Sequence, residues 1–184
     1  MPGITSDIPK RYRARVIVAG EQYVGKSSIV KVLTGGAPEY SKTYSMTTVP
    51  EVRSKSFAIP KTSDSLEFLI CDSPGSNLYT ECLKEAWPLD SLIVLVFDVT
   101  DKASFNKLGV WLDRCQKFAS RSAPKLLLAA KCDLSNRRFV SNAMAVEFAN
   151  ANRCLYFPCS AKDNSNILEA WRALALEHYK SLNP

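Results

Sequence analysis

A chain of 184 residues is the size of one domain and is long enough to bury a sizeable core. Its 46% hydrophobic content excludes disorder as the main state, and no apolar stretch approaches the ~20 residues of a membrane span, so a soluble protein is expected. The net charge of +6 does not identify nucleic acid as a partner, because aromatic residues are not interleaved with the basic ones and no recognition motif appears.

The amino terminus, Met1-Pro2-Gly3, carries neither a secretory hydrophobic region nor the glycine at position two that myristoylation requires. The last residues, from Lys180 to Pro184, hold no cysteine for prenylation, so no stable membrane anchor is expected. Six cysteines lie scattered without C-x-x-C spacing, several inside apolar runs, which suits free thiols in a reducing compartment.

Along the chain, Lys10, Arg11, Arg13 and Arg15 stand ahead of the first core strand, and residues 1–13 read as a basic arm, most simply a solvated tail. The apolar run around 15–20 predicts a strand that delivers the chain into Gly20-Glu21-Gln22-Tyr23-Val24-Gly25-Lys26-Ser27, a complete G-x-x-x-x-G-K-[ST] loop. A helical pattern follows from Ser28 to Leu33. A strand ending in a glycine-bearing loop and passing into a helix aims backbone N–H groups and a helix N-terminus at one spot, which suits a polyphosphate. Lys26 is then placed to reach the terminal phosphates, and Ser27 to ligate Mg²⁺.

Further strands are predicted over 52–59, 65–71, 92–99, 125–130 and 154–158. Helices are predicted over 104–118, where Phe105, Leu108, Trp111, Leu112 and Cys115 repeat at three and four, and around Ile167, Leu168, Trp171, Leu174 and Ala175. The Pro and polar cluster from Ile59 to Asp64 reads as a hairpin turn, so one antiparallel edge strand is expected. The alternation of strand and helix argues for an α/β domain of three layers, a mostly parallel six-stranded sheet with helices on both faces. Ligands then bind beyond the carboxyl ends of the strands. The single histidine, His178, sits at helical spacing beside Trp171, Leu174 and Ala175 and reads as structural.

Two later pieces name the base. Lys131-Cys132-Asp133 follows the fifth strand, and Cys159-Ser160-Ala161-Lys162 follows the sixth. The Asp133 carboxylate can accept a pair of hydrogen bonds from the ring N–H and exocyclic amine of guanine, a donor pair that adenine lacks on that edge. The methylenes of Lys131 can lie on the purine face. Ser160 would brace the loop, and the Ala161 N–H can donate to the guanine carbonyl.

In this order the motifs resemble those of the Ras-superfamily small GTPases, a phosphate-loop NTPase fold, over residues 14–180, with 181–184 a short tail. The resemblance implies GTP/GDP and Mg²⁺ as cofactors. It places Gln22, Tyr23, Val24, Gly25, Lys26, Ser27 and Ser28 around the phosphates, with Lys131, Asp133, Ser160, Ala161 and Lys162 around the base. Leu69-Ile70-Cys71-Asp72-Ser73-Pro74-Gly75-Ser76 resembles the family's D-x-x-G, so Asp72 would hold Mg²⁺ through water and the Gly75 N–H would sense the γ-phosphate. The first-switch threonine that completes the Mg²⁺ shell aligns with Thr47, and secondarily with Thr48. Tyr40 falls where an aromatic packs on the guanine edge, and Tyr44 where one covers the phosphates. Lys26, Thr47 and Gly75 are thus the expected catalytic set, and Ser27, Thr47 and Asp72 the metal set.

Four residues depart from the family pattern. Ala130 replaces an Asn that ties purine to phosphate loop, and Ser76 replaces the Gln that orients the attacking water. Pro74 restricts a segment that normally reshapes between nucleotide states, and Gln22 stands where many members carry glycine. Intrinsic hydrolysis at or below ~10⁻⁴ s⁻¹ is therefore expected.

The stretches from Lys42 to Thr48, Ile59 to Ser65 and Cys82 to Trp87 resemble the Rab-like GTPase subunit of the intraflagellar transport B complex. That resemblance implies a heterodimer with a small β-sandwich transport subunit, contacts with other transport-complex subunits, no nucleic acid, and a place in the cytoplasm, basal body and cilium or flagellum. Rival readings are an obligate structural subunit that holds nucleotide for folding, and a membrane-trafficking Rab.

Overall fold

The computed structural model describes residues 8–35, 47–75, 87, 89–119 and 123–183. Tyr40, Tyr44 and Ser76 lie outside them. In chain order the elements are β1 (Arg11–Ala19), α1 (Lys26–Gly35), β2 (Glu51–Ala58), β3 (Ser65–Asp72), β4 (Leu92–Asp98), α2 (Lys102–Asn106) and α3 (Leu108–Cys115). Then come β5 (Lys125–Ala130), α4 (Asn142–Asn152), β6 (Cys154–Pro158) and α5 (Ile167–Leu182).

The strands form one six-stranded sheet in the order β2-β3-β1-β4-β5-β6. β2 runs antiparallel to β3, and every other pairing is parallel. The turn between β2 and β3 is closed by the Ile59 N–H donating to the Asp64 carbonyl at 3.0 Å and by the Thr62 hydroxyl donating to the Ile59 carbonyl at 3.0 Å. The expected hairpin and antiparallel edge strand are both present.

β4 is buried along its whole length, as the unbroken run Leu-Ile-Val-Leu-Val-Phe requires of a central parallel strand covered on both faces. In β1 the pleat divides the apolar residues between two cores. Val16 and Val18 pack with Phe68, Leu128 and Trp171 in the layer of α1 and α5, whereas Ile17 and Ala19 pack with Leu95, Trp111 and Leu127 in the layer of α3 and α4.

Two predicted elements differ from the expectation, and α4 is a helix that no predicted pattern covered. β1 begins at Arg11, because Arg11, Arg13 and Arg15 occupy its exposed positions while Tyr12 and Ala14 alternate toward the interior. Tyr12 meets Tyr179 edge-on at 5.4 Å, and that packed face is sufficient to hold the strand. Arg11 to Arg13 therefore belong to the sheet and not to a tail. The helix expected over 104–118 is divided at Lys107 into α2 and α3 and stops at Cys115. Asn106 and Gly109, both poor helix formers, flank the division, while Asp101 caps α2 by accepting from the Ala103 N–H at 2.9 Å. Among the described residues, no helix is long and apolar enough to cross a membrane.

Candidate functional site

The chain leaves β1 for β2 and β3 on one side and leaves β4 for β5 and β6 on the other, which opens a crevice at the carboxyl ends of β1 and β4. The loop after β1 occupies that end. Gly20 has a φ of +149°, and a Cβ there would run into the Val96 carbonyl, so close approach to β4 demands glycine. Lys26 opens α1 and is only 6% exposed. Its ammonium donates to the carbonyls of Gly20 at 2.9 Å and Glu21 at 2.7 Å. Burial pushes its pKa down to about 8, against the opposing pull of the Asp72 and Glu21 charges. A cation so desolvated, with two neutral acceptors nearest to it, favours an anionic ligand.

Gly75 lies directly against this loop. A Cβ on it would collide with the backbone of Glu21 and Gln22 and with the Lys26 ammonium. The structure thus brings the glycine of D-x-x-G and the lysine of the phosphate loop together, and only glycine permits the approach. Ser73 is fully buried beside it and accepts from the Trp87 indole N–H at 2.8 Å.

Ser27, Thr47 and Asp72 also converge. The Ser27 and Thr47 hydroxyl oxygens are 2.8 Å apart, and Ser27 lies close enough to Asp72 to pull its pKa down. Thr48, the secondary candidate, is exposed. Asp72 is 3% exposed, and its Oδ1 is buried without a hydrogen-bond partner. Burial raises its pKa, with the Ser27 hydroxyl and the Lys26 charge pulling the other way. Two hydroxyls and an orphaned carboxylate oxygen are the hard oxygen donors that Mg²⁺ takes, so the residues present fit that ion.

The loops after β5 and β6 meet beside the phosphate loop. The Cys159 N–H donates to Ala129 at 2.8 Å and the Cys132 N–H to Cys159 at 3.1 Å, which ties the two loops. The Ser160 hydroxyl donates to Asp133 Oδ1 at 2.7 Å, and the Lys162 ammonium lies 3.9 Å from Oδ2. Lys131, with a left-handed φ of 63°, donates to the Tyr23 carbonyl at 2.7 Å and pairs with Asp98 at 2.7 Å. Ala161 is half-buried next to them. Ala130 presents only a methyl group, 3.9 Å from where a Cβ on Gly25 would stand.

Asp98 was not singled out by any motif, although its place at the carboxyl end of β4, where parallel sheets put ligand-binding groups, is a signal for it. It also accepts from the Thr100 N–H and hydroxyl at 2.8 and 2.7 Å, which fixes the carboxylate that Lys131 meets.

A mostly parallel sheet with a phosphate loop at its switch point, and two further loops converging on the same end, defines a phosphate-loop nucleotide-binding fold. A family model described as the Ras family matches residues 15–180, and the chain belongs to that family. It is 32% identical over 168 residues to the Homo sapiens protein named "Intraflagellar transport protein 27 homolog", covering 91% of this chain and 90% of that one. It is 34% identical over 180 residues to "Intraflagellar transport protein 27" of Chlamydomonas reinhardtii, covering 95% and 88%. A "GTP-binding protein YPT1" of Saccharomyces cerevisiae is 28% identical over 172 residues, covering 94% and 82%.

Proposed function

We propose that the protein binds GTP and GDP with Mg²⁺ and acts as a Rab-like small GTPase of the intraflagellar transport machinery, serving ciliary or flagellar assembly and cargo transport. The observation that carries the nucleotide reading is the buried Lys26 ammonium beside Gly75, with Asp133 held by Ser160 on the neighbouring loops. Lys26 and the loop N–H groups take the phosphates, Asp133 reads the guanine edge, and the Ala161 N–H donates to its carbonyl. Lys131 covers the purine face while its ammonium stays on the Tyr23 carbonyl. Ser27, Thr47 and Asp72 would hold the Mg²⁺, which neutralises charge on the phosphate oxygens when bound.

Hydrolysis is slow in this reading, because Ser76 has one methylene where the family's glutamine amide reaches the attacking water. The likeness to proteins named intraflagellar transport protein 27 supports assembly with transport-complex subunits and association with the cilium or flagellum. A heterodimer with a small β-sandwich subunit and residence in the cytoplasm and basal body are proposed with it, on the resemblance carried by the stretches from Lys42 to Thr48, Ile59 to Ser65 and Cys82 to Trp87. The test is equilibrium titration with GDP and GTP, with ATP as competitor, for the wild type and Lys26→Ala. Micromolar or tighter guanine-selective binding that Lys26→Ala abolishes supports the reading, and equal competition by ATP refutes it.

A further inference from the structure

Glu21 is the second residue of the phosphate loop, yet its carboxylate is engaged on the helical layer. The Trp111 indole N–H donates to Oε1 at 2.9 Å, and the Lys107 ammonium donates to Oε2 at 2.9 Å. Both donors belong to one short piece of chain, since Lys107 is the N-cap of α3 and Trp111 stands one turn into it. The Glu21 side chain is 16% exposed and that of Lys107 53%, so Oε1 meets its indole donor in a dry setting and Oε2 a solvent-facing ammonium. Trp111 is 1% exposed, and the Arg114 guanidinium lies 5.1 Å from its ring centroid. Its indole is therefore a fixed post.

The same residue faces the ligand end through its main chain. The Glu21 carbonyl accepts from the Lys26 ammonium at 2.7 Å, and the Glu21 backbone is among the atoms that a Cβ on Gly75 would strike. One residue thus joins α3 by its side chain to Lys26 by its carbonyl. We propose that Glu21 is a positioning residue, whose clamp on Trp111 and Lys107 fixes the carbonyl that aims the Lys26 ammonium and so sets the phosphate-binding geometry of the loop. This rests on the nucleotide reading above. A role in merely attaching α3 to the sheet is a poorer account, because Leu108, Trp111, Leu112 and Cys115 already bury α3 against Ile17 and Leu95.

The test uses the full chain as wild type, Glu21→Ala, Glu21→Gln, Trp111→Phe and the Glu21→Ala/Trp111→Phe double variant. Each is titrated with fluorescent GDP in Mg²⁺, and hydrogen exchange of the Trp111 indole is followed by NMR in the nucleotide-free protein. Glu21→Ala and Trp111→Phe are each expected to weaken GDP by about tenfold, the loss of a charge-assisted hydrogen bond. The double variant should be no weaker than about Glu21→Ala alone, because that substitution already removes the contact that Trp111→Phe breaks. Glu21→Gln keeps an acceptor for the indole but sets its amide N–H₂ against the Lys107 ammonium, so its loss should lie between the wild type and Glu21→Ala. The indole should exchange faster in Glu21→Ala. Unchanged GDP affinity in Glu21→Ala, or multiplied losses in the double variant, overturns the proposal. Failure of the wild type to bind GDP removes the nucleotide reading as well, whereas wild-type binding with an indifferent Glu21→Ala removes this inference alone.

Discussion

Ser160 donates its hydroxyl hydrogen to Asp133 Oδ1 at 2.7 Å, joining the loop after β6 to the loop after β5. The Ser160 Oγ in turn accepts from the Asp163 N–H at 3.1 Å, so Ser160 holds its own turn and aims the carboxylate together. Ser160→Ala releases Asp133 and is expected to weaken GDP by ~1 kcal/mol, about fivefold, with little change in thermal midpoint. Competition titration against the wild type checks the figure.

Ala130 leaves the space beside Gly25 without a hydrogen-bonding group. The tie between the base loop and the phosphate loop then falls on Lys131, through Tyr23 and Asp98. Ala130→Asn restores an amide at that place and should tighten GDP by ~1–3 kcal/mol, read as slower release in a chase with unlabelled nucleotide. Faster release would show that the amide has no partners there.

Asp72 Oδ1 is buried without a hydrogen-bond partner, and Ser27 and Thr47 stand next to it. Removing Mg²⁺ with EDTA should speed GDP release by roughly tenfold or more, as the loss of contacts to a charged group implies. In Asp72→Ala, release should be fast with or without EDTA. A variant that still slows on adding Mg²⁺ would contradict the assignment.

Asp64 accepts from the Tyr179 hydroxyl at 2.7 Å and from the Lys10 N–H at 2.9 Å, which holds its pKa below the usual carboxylate range, the Tyr179 bond contributing most. A depressed folded-state pKa stabilises above the unfolded value of about 3.9 and loses that effect as pH falls through the lower folded value. The thermal midpoint should therefore drop on acidification below about pH 4 more steeply in the wild type than in Asp64→Asn. Tyr179→Phe should flatten the same limb in part.

Much of the fold was legible because the apolar runs of β1, β3, β4, β5 and β6 are bounded by polar turns, and the run from Leu92 to Phe97 announces a strand buried on both faces. The start of β1 was hidden by Arg11, Arg13 and Arg15, whose alternation with Tyr12 and Ala14 is itself a strand period masked by charge. The division at Lys107 was missed because the apolar repeat continues across it, and periodicity does not register a local change in backbone angles. In the site, the G-x-x-x-x-G-K-S loop, D-x-x-G and Asp133 with Ser160 were readable as spacing, and the structure brings those residues to one end of the sheet. The bonds of Glu21 to Trp111 and of Lys131 to Asp98 join distant stretches of chain, and no spacing rule reports such pairs.

If Asp133 reads guanine, exchanging its acceptor for a donor reverses the preference among bases. Xanthine carries a carbonyl where guanine carries the exocyclic amine, so an amide N–H at this position suits xanthine and opposes guanine. Measured by competition on the full chain in Mg²⁺, Asp133→Asn should lose GDP affinity by about a hundredfold and gain for xanthosine diphosphate. An Asp133→Asn protein that keeps wild-type GDP affinity and ignores xanthosine diphosphate would remove Asp133 as the guanine-reading group.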